Sequence, residues 1–189
     1  MTTLNENILC KKKELTKQGD IAYFIYDLFK KSNKDKMIVI NIGTDKTKFD
    51  SFAPFVGTIL KERNSKLKIY GDLERPIHAV NLKDKMRYIN KKNQNAFILA
   101  IDAAVTEKDE NKIIARNKPI KPRLGKDLGS VGDASIIFTV DKRNTCWFNL
   151  DNNMRIGDVY KGVNKTVNEL LLLEKLLIKN QNNNIIKFA

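Results

Sequence analysis

The sequence predicts an α/β protein, a three-layer α/β/α sandwich around a mixed, mostly parallel central sheet. Three observations carry this. Met37-Ile38-Val39-Ile40-Asn41-Ile42 and Ala96-Phe97-Ile98-Leu99-Ala100-Ile101 are nearly continuous apolar runs, as strands buried on both faces are. Around them lie segments with apolar residues at three- and four-residue spacing, the stripe of a helix packed on one side. The alternation of the two builds a sheet covered on both faces. At 189 residues the chain supplies one substantial core. It is read as a single domain over 1–189, with a polar extension over 1–18, the α/β/α core over 19–180 and a tail over 181–189.

In chain order, Ile21 to Phe29 has helical spacing and is followed by Lys30-Lys31, whose charges complement the C-terminal end of a helix dipole. The run from Met37 to Ile42 ends in Gly43 and reads as a central strand. Ser51 to Arg63 carries apolar residues at 52, 55, 56, 59 and 60, with Pro54 in the first turn, where a missing N–H costs little. Leu67 to Gly71 is a second strand and Leu82 to Lys91 a helix. Ala96 to Ile101 is a third strand, terminated by Asp102. Lys112 to Ala115 and Thr145 to Asn149 are short strand candidates, and Ala134 to Val140 is a further strand. Helical pattern begins at Asp158, and the Leu-rich face from Val167 to Ile178 suits a closing helix. Asn117 to Gly132 reads as a long irregular loop, a kind that often serves function. The Asn-rich stretch Gln181 to Asn184 reads as frayed.

A formal charge of +13 raises nucleic acid as a partner. The lysines are scattered, however, and no arginine-rich stripe interleaves with aromatics, so the charge is read as solvated surface and nucleic acid is not expected. No apolar run approaches the roughly 20 residues that span a bilayer. Met1 to Lys13 lacks the cation-then-apolar order of a secretory signal. A cytoplasmic protein without a membrane partner is the expectation. Cys10, Cys146 and His78 have no metal-type spacing, which argues against a disulfide framework or a structural zinc.

Ligands of open α/β sheets gather where strands end and loops diverge. Two acids have such places: Asp50, after the first strand and before a helix, and Asp102, at the end of the third. Together they form a candidate carboxylate pair that shares a proton, as hydrolysis through an activated water requires. Asp50, near a helix N-terminus, is expected to be the anion, and Asp102, on an apolar strand, the acid with the raised pKa. Singly, each has a structural reading: a helix N-cap for Asp50, a carboxylate bonding loop amides for Asp102. His78 is open between general base, metal ligand and core histidine. The stretch around Lys126 lacks phosphate-loop spacing and reads as a shaped loop over the site.

The same residues carry a family likeness. Ile42-Gly43-Thr44-Asp45-Lys46 through Asp50-Ser51-Phe52-Ala53-Pro54-Phe55-Val56-Gly57 resembles the YyaC-type sporulation protein pattern Ile-Gly-Thr-Asp-Arg, a short gap, then Gly-Asp-Ser-Leu-Gly-Pro-Leu-Val-Gly. Tyr70-Gly71-Asp72-Leu73 and Pro76-Ile77-His78-Ala79-Val80-Asn81-Leu82 resemble its Tyr-Gly-Thr-Leu and Pro-Val-His-Ala-Val-Asn-Leu. Ala100-Ile101-Asp102-Ala103 matches Ala-Ile-Asp-Ala, and Lys126 with Leu128, Val131 and Gly132 fits Lys-x-Leu-Pro-x-Val-Gly. The wider group includes the germination protease, which degrades small acid-soluble spore proteins, and the hydrogenase maturation proteases, all of one α/β/α fold.

The resemblance implies an aspartate-type endopeptidase with Asp50 and Asp102 as its catalytic pair, and with Gly43, Thr44, His78, Asn81 and Lys126 binding or orienting the substrate. It implies a protein or peptide substrate, small acid-soluble spore proteins first among them, and the cytoplasm of a sporulating cell or spore. No cofactor is expected, although the acids and histidine around nickel in the maturation proteases leave a divalent ion at Asp50, Asp102 and His78 open. Phe49 and Ala53 replace glycines that flank the first acid, and Ala104 replaces a cysteine. A bulky Phe49 predicts a narrowed approach to Asp50. The alternative is therefore a non-catalytic sporulation factor that binds a protein or peptide in the same crevice.

Overall fold

The computed structural model describes residues 10–106, 111–121, 129–141 and 154–186. Its strands are β1 (Lys12–Glu14), β2 (Lys36–Asn41), β3 (Lys68–Tyr70), β4 (Ala96–Thr106), β5 (Ile113–Arg116) and β6 (Ala134–Asp141). Its helices are α1 (Asp20–Lys30), α2 (Phe52–Glu62), α3 (Leu82–Lys92) and α4 (Ile156–Ile186). All six strands join one sheet in the order β1-β5-β6-β4-β2-β3. The pairings β2 with β3, β2 with β4 and β4 with β6 are parallel, and β5 pairs antiparallel with both β6 and β1.

The helix layers follow from that order. The chain steps from β2 outward to β3 through α2, then returns past β2 to β4 through α3. Right-handed crossovers that run in opposite directions across a sheet place their helices on opposite faces. Met37, Val39, Phe97, Leu99 and Ile101 accordingly pack with residues of α1, α2 and α4. Ile38, Ile40, Ala100 and Ile137 pack on the other face with Leu82 and Ile89 of α3. This is the expected three-layer α/β/α sandwich with a mixed sheet. On the three-helix side Phe52 stacks on Phe138, ring centroids 4.7 Å apart. Among the described residues no helix is long and apolar enough to cross a membrane.

Three expectations are corrected. Residues 12–14, assigned to the polar extension, are the edge strand β1. They are held there by Asp20, which ion-pairs with Lys13 at 2.9 Å and accepts the Thr16 hydroxyl at 2.7 Å and the Thr16 and Lys17 amides at 3.0 and 2.9 Å. The Thr16 hydroxyl and the Lys13 ammonium, with those amides, hold the Asp20 carboxyl well below the usual carboxylate range. Second, the C-terminal helix continues through Asn-rich residues to Ile186, because each residue added to an anchored helix adds a backbone hydrogen bond without a new nucleus. Third, Asp102 does not end its strand: β4 runs on to Thr106, paired with β6 throughout. Within the loop expected over 117–132, Ile120 and Val131 exchange two backbone hydrogen bonds of 2.9 Å, and residues 122–128 lie outside the described residues. The strand candidate Thr145 to Asn149 lies outside the described residues.

Two polar devices fix the frame around the sheet. Gly19 caps α1 with no side-chain hydrogen bond of its own. Glu169 of α4, buried, supplies the acceptor instead, taking the amides of Gly19, Ile21 and Ala22 at 2.6, 3.0 and 2.9 Å. At α2, a Cβ on Gly57 would stand 2.1 Å from the Gly71 carbonyl oxygen. Only glycine lets this helix press so closely on the strand ends, and that contact sets where the loop before α2 lies.

Candidate active site at the strand-order reversal

The sheet order reverses between β2 and β4, whose outgoing connections diverge, and this is the position where open α/β sheets form a crevice. β2 pairs with β4 only as far as Asn41 opposite Ile101. The next residue of β4 is Asp102. It therefore sits one step past the end of β2, paired with Ile137 of β6 and bare on the side that β2 has left. Its own carboxyl fills part of that gap: the Ala103 N–H donates to Asp102 Oδ1 at 2.8 Å.

Asp50 reaches the same place from the β2–α2 loop. The Thr44 N–H donates to Asp50 Oδ2 at 2.9 Å, which closes the loop on itself. Gly43 makes the closure possible. It has φ +152 and its missing Cβ would lie 2.1 Å from the Asp50 carbonyl oxygen. Its N–H donates to the Ile77 carbonyl at 2.8 Å, which ties in the segment carrying His78. Gly43→Ala is expected to destabilise the fold by about 3 kcal/mol, because the clash is with backbone and the backbone cannot yield cheaply. Urea unfolding measures this, and a loss under about 1 kcal/mol would contradict the geometry.

Burial is the main influence on both acids. It raises the pKa of Asp50, against which the Thr44 amide and the charge of His78 pull downward. Burial, and then the nearby Asp50 charge, push Asp102 up to about 8, while the Ala103 amide and Arg116 act in the opposite sense. Asp102 nevertheless keeps some exposed surface, so its carboxyl is desolvated without being sealed off. Near neutral pH Asp102 therefore holds its proton, and Asp50 is the acid that ionises more readily. Asp50 was expected to be the anion of the two, and it remains the readier to ionise, although its own pKa is raised; the helix N-cap reading of Asp50 is the one corrected. The N-cap of α2 is Ser51, so Asp50 lies outside the helix and is desolvated by the loop.

The remaining predicted residues divide. Thr44 contributes its backbone amide; its hydroxyl only accepts from Lys46 N–H at 3.4 Å and donates weakly to Asp45 at 3.5 Å. Asn81 works on His78: its Oδ1 accepts the His78 N–H at 2.9 Å and its Nδ2 donates to the Pro76 carbonyl at 3.0 Å. His78 Nδ1 accepts the Val80 N–H at 3.3 Å, and Nε2 stands 3.5 Å from Asn81 Nδ2. Lys126 lies outside the described residues. Phe49, expected to crowd Asp50, packs against the larger core, and its backbone is not left-handed. Ala53 is fully buried in that core. Arg116, whose charge reaches Asp102, was not singled out in the sequence. Its only signal there is a cation closing an otherwise apolar strand, Ile113-Ile114-Ala115-Arg116.

The donor set for a divalent ion does not come together. Among the described residues no three of His, Cys, Asp and Glu are grouped so as to hold one, so Asp50, Asp102 and His78 do not make a metal cradle in this geometry.

An α/β/α sandwich with an acid pair at the reversal of strand order is the class of protein that fold and site define. The chain belongs to the family described as protein of unknown function DUF1256, whose profile matches residues 9–169. It is 34% identical over 143 residues to the uncharacterized protein YyaC of Bacillus subtilis (strain 168), spanning 74% of this chain and 70% of that one. Its fold is similar to the crystal structure of the NiFe hydrogenase maturation protease HycI from Thermococcus kodakarensis KOD1. That likeness covers 80% of this chain and 99% of the other, with a TM-score of 0.51 and 14% identity, a level at which fold alone is shared.

Proposed function

We propose that this protein is a sporulation-associated peptidase that cleaves a protein or peptide with Asp50 and Asp102 as its acid–base pair. The observation that carries the reading is the asymmetry of the pair: two carboxyls near the strand-order reversal, with the pKa of Asp102 raised by burial and by the charge of Asp50. Ionised Asp50 takes a proton from water as the water oxygen bonds to the scissile carbonyl carbon. Asp102 gives its proton to the amide nitrogen as the C–N bond breaks. The cycle closes when the proton on Asp50 returns to Asp102 through solvent. His78, oriented by Asn81, favours the ionised form of Asp50, and the Thr44 amide holds it in place.

Small acid-soluble spore proteins are the substrates to try first. Incubated with them, the purified protein is expected to give discrete fragments by mass spectrometry. Asp50→Asn and Asp102→Asn are each expected to slow cleavage by about 100-fold or more, the usual worth of a general acid or base. The rate should be bell-shaped in pH, rising as Asp50 ionises and falling near 8 as Asp102 loses its proton. Cleavage that survives both substitutions would sink the mechanism. Capture of an intact partner without turnover would favour the non-catalytic alternative.

A further inference from the structure

Arg116 is a cation without an assigned task, and its surroundings define one. Cross-strand partners in a sheet point to the same face. Arg116 pairs with Ser135, and Ser135 with Ala100; one row on, Ile114 pairs with Ile137, and Ile137 with Asp102. Arg116 and Asp102 therefore stand on one face, the face whose apolar members Ala100 and Ile137 belong to the α3 side. Its Nε is buried and has no hydrogen-bond partner. Lys12 of β1, opposite Arg116 in the register, adds a second positive charge where an acid would have been the stabilising neighbour.

An unpaired buried N–H costs about 1–3 kcal/mol, so this one calls for a ligand. Nε and the adjacent Nη form the edge of the guanidinium that accepts both oxygens of a carboxylate. Here the Nε of that edge is buried and unpaired, on a residue that shares its sheet face with Asp102.

We propose that Arg116 is a substrate-anchoring residue, which binds a carboxylate of the peptide, either an acidic side chain or a free C-terminus, on the same sheet face as Asp102. The proposal rests on the peptidase reading and names what that site prefers. Neutralising Arg116 also removes a charge that favours ionised Asp102, so a bound carboxylate would help Asp102 keep its proton.

The test is binding to the full-length protein, read without turnover. Four probes suffice: acetyl-Ala-Glu-Ala-amide against acetyl-Ala-Gln-Ala-amide, and acetyl-Ala-Ala-Ala with a free C-terminus against its amide. Calorimetry is expected to give at least about tenfold tighter binding for one carboxylate probe than for its neutral counterpart, and the pair that differs identifies the source of the carboxylate. The Arg116 Nε–H resonance of the unmodified protein should shift and saturate with that probe. Arg116→Gln should abolish the preference, and Arg116→Lys, which keeps charge but loses the fork, should retain only part of it. Equal affinities in both pairs, or a preference that survives Arg116→Gln, would overturn the proposal. If Arg116→Gln does not fold, the resonance and the Lys variant still decide. A protein that cleaves nothing but keeps the Arg116-dependent preference overturns the peptidase reading alone; cleavage without the preference overturns the anchor alone.

Discussion

Asp102→Asn is expected to stabilise the protein at pH 8 while it slows the proposed cleavage by about 100-fold or more. The folded-state pKa of Asp102 is raised from an ordinary carboxylate value to about 8. Between those two values the folded protein holds a proton that the unfolded chain has lost, so wild-type stability falls as pH rises through the window and the loss is complete above the folded pKa. Asparagine has nothing to titrate, and its Oδ1 can still accept the Ala103 N–H. The variant should match the wild type near pH 4 and exceed it at pH 8 by on the order of 3 kcal/mol. Urea unfolding at both pH values measures the difference; curves that stay parallel from pH 4 to pH 8 would contradict the assignment. Asp50→Asn should lower the Asp102 pKa, since the Asp50 charge helps to raise it, and carbon NMR of the Asp102 carboxyl reports that shift directly. A residue that weakens the fold in order to hold a proton is the pattern expected of a site maintained for chemistry.

Glu169→Ala is expected to cost more stability than any other single change described. It strands three buried amides, those of Gly19, Ile21 and Ala22, at a helix start whose N-cap glycine has no side chain to offer. Each carries a charge-assisted bond, so the loss should be about 4 kcal/mol, or about 10 °C in melting temperature for a chain of this size. Glu169→Gln should lose less, because its amide still offers one acceptor oxygen. Hydrogen exchange at the three amides should accelerate in both variants, and unchanged protection would mean that another group satisfies them.

The apolar runs made β2, β4 and β6 legible in the sequence, and helical spacing did the same for α1, α2 and α4, because burial on two faces or one stripe writes itself into composition. β1 is illegible for the opposite reason: Lys12-Lys13-Glu14 is charged, as an edge strand can be, and only its pairing with β5 makes it a strand. The end of β4 was misplaced because Asp102 interrupts an apolar run, whereas the backbone ladder with β6 takes no account of side-chain polarity. The nearness of Asp50 and Asp102 to the point where β2 ends was readable from the apolar runs that precede them, although Asp102 lies within β4 and not at its end; the raised pKa of Asp102 was readable from the same apolar residues. The burial of Asp50 was not, since it depends on a loop closed through the amide of Thr44. Neither the Glu169 bonds, which span about 150 residues, nor the buried Nε of Arg116 leave a local pattern. Such links exist only once the sheet has brought distant segments together.

The single bond from Ala103 N–H to Asp102 Oδ1 also settles a question of direction. A protonated carboxyl has one carbonyl-like oxygen and one hydroxyl oxygen, and the oxygen that accepts from an amide is the carbonyl-like one. With Oδ1 accepting the amide, a proton on the carboxyl is favoured on Oδ2. The residue that follows Asp102 in the chain thus chooses which of its two oxygens is left to donate.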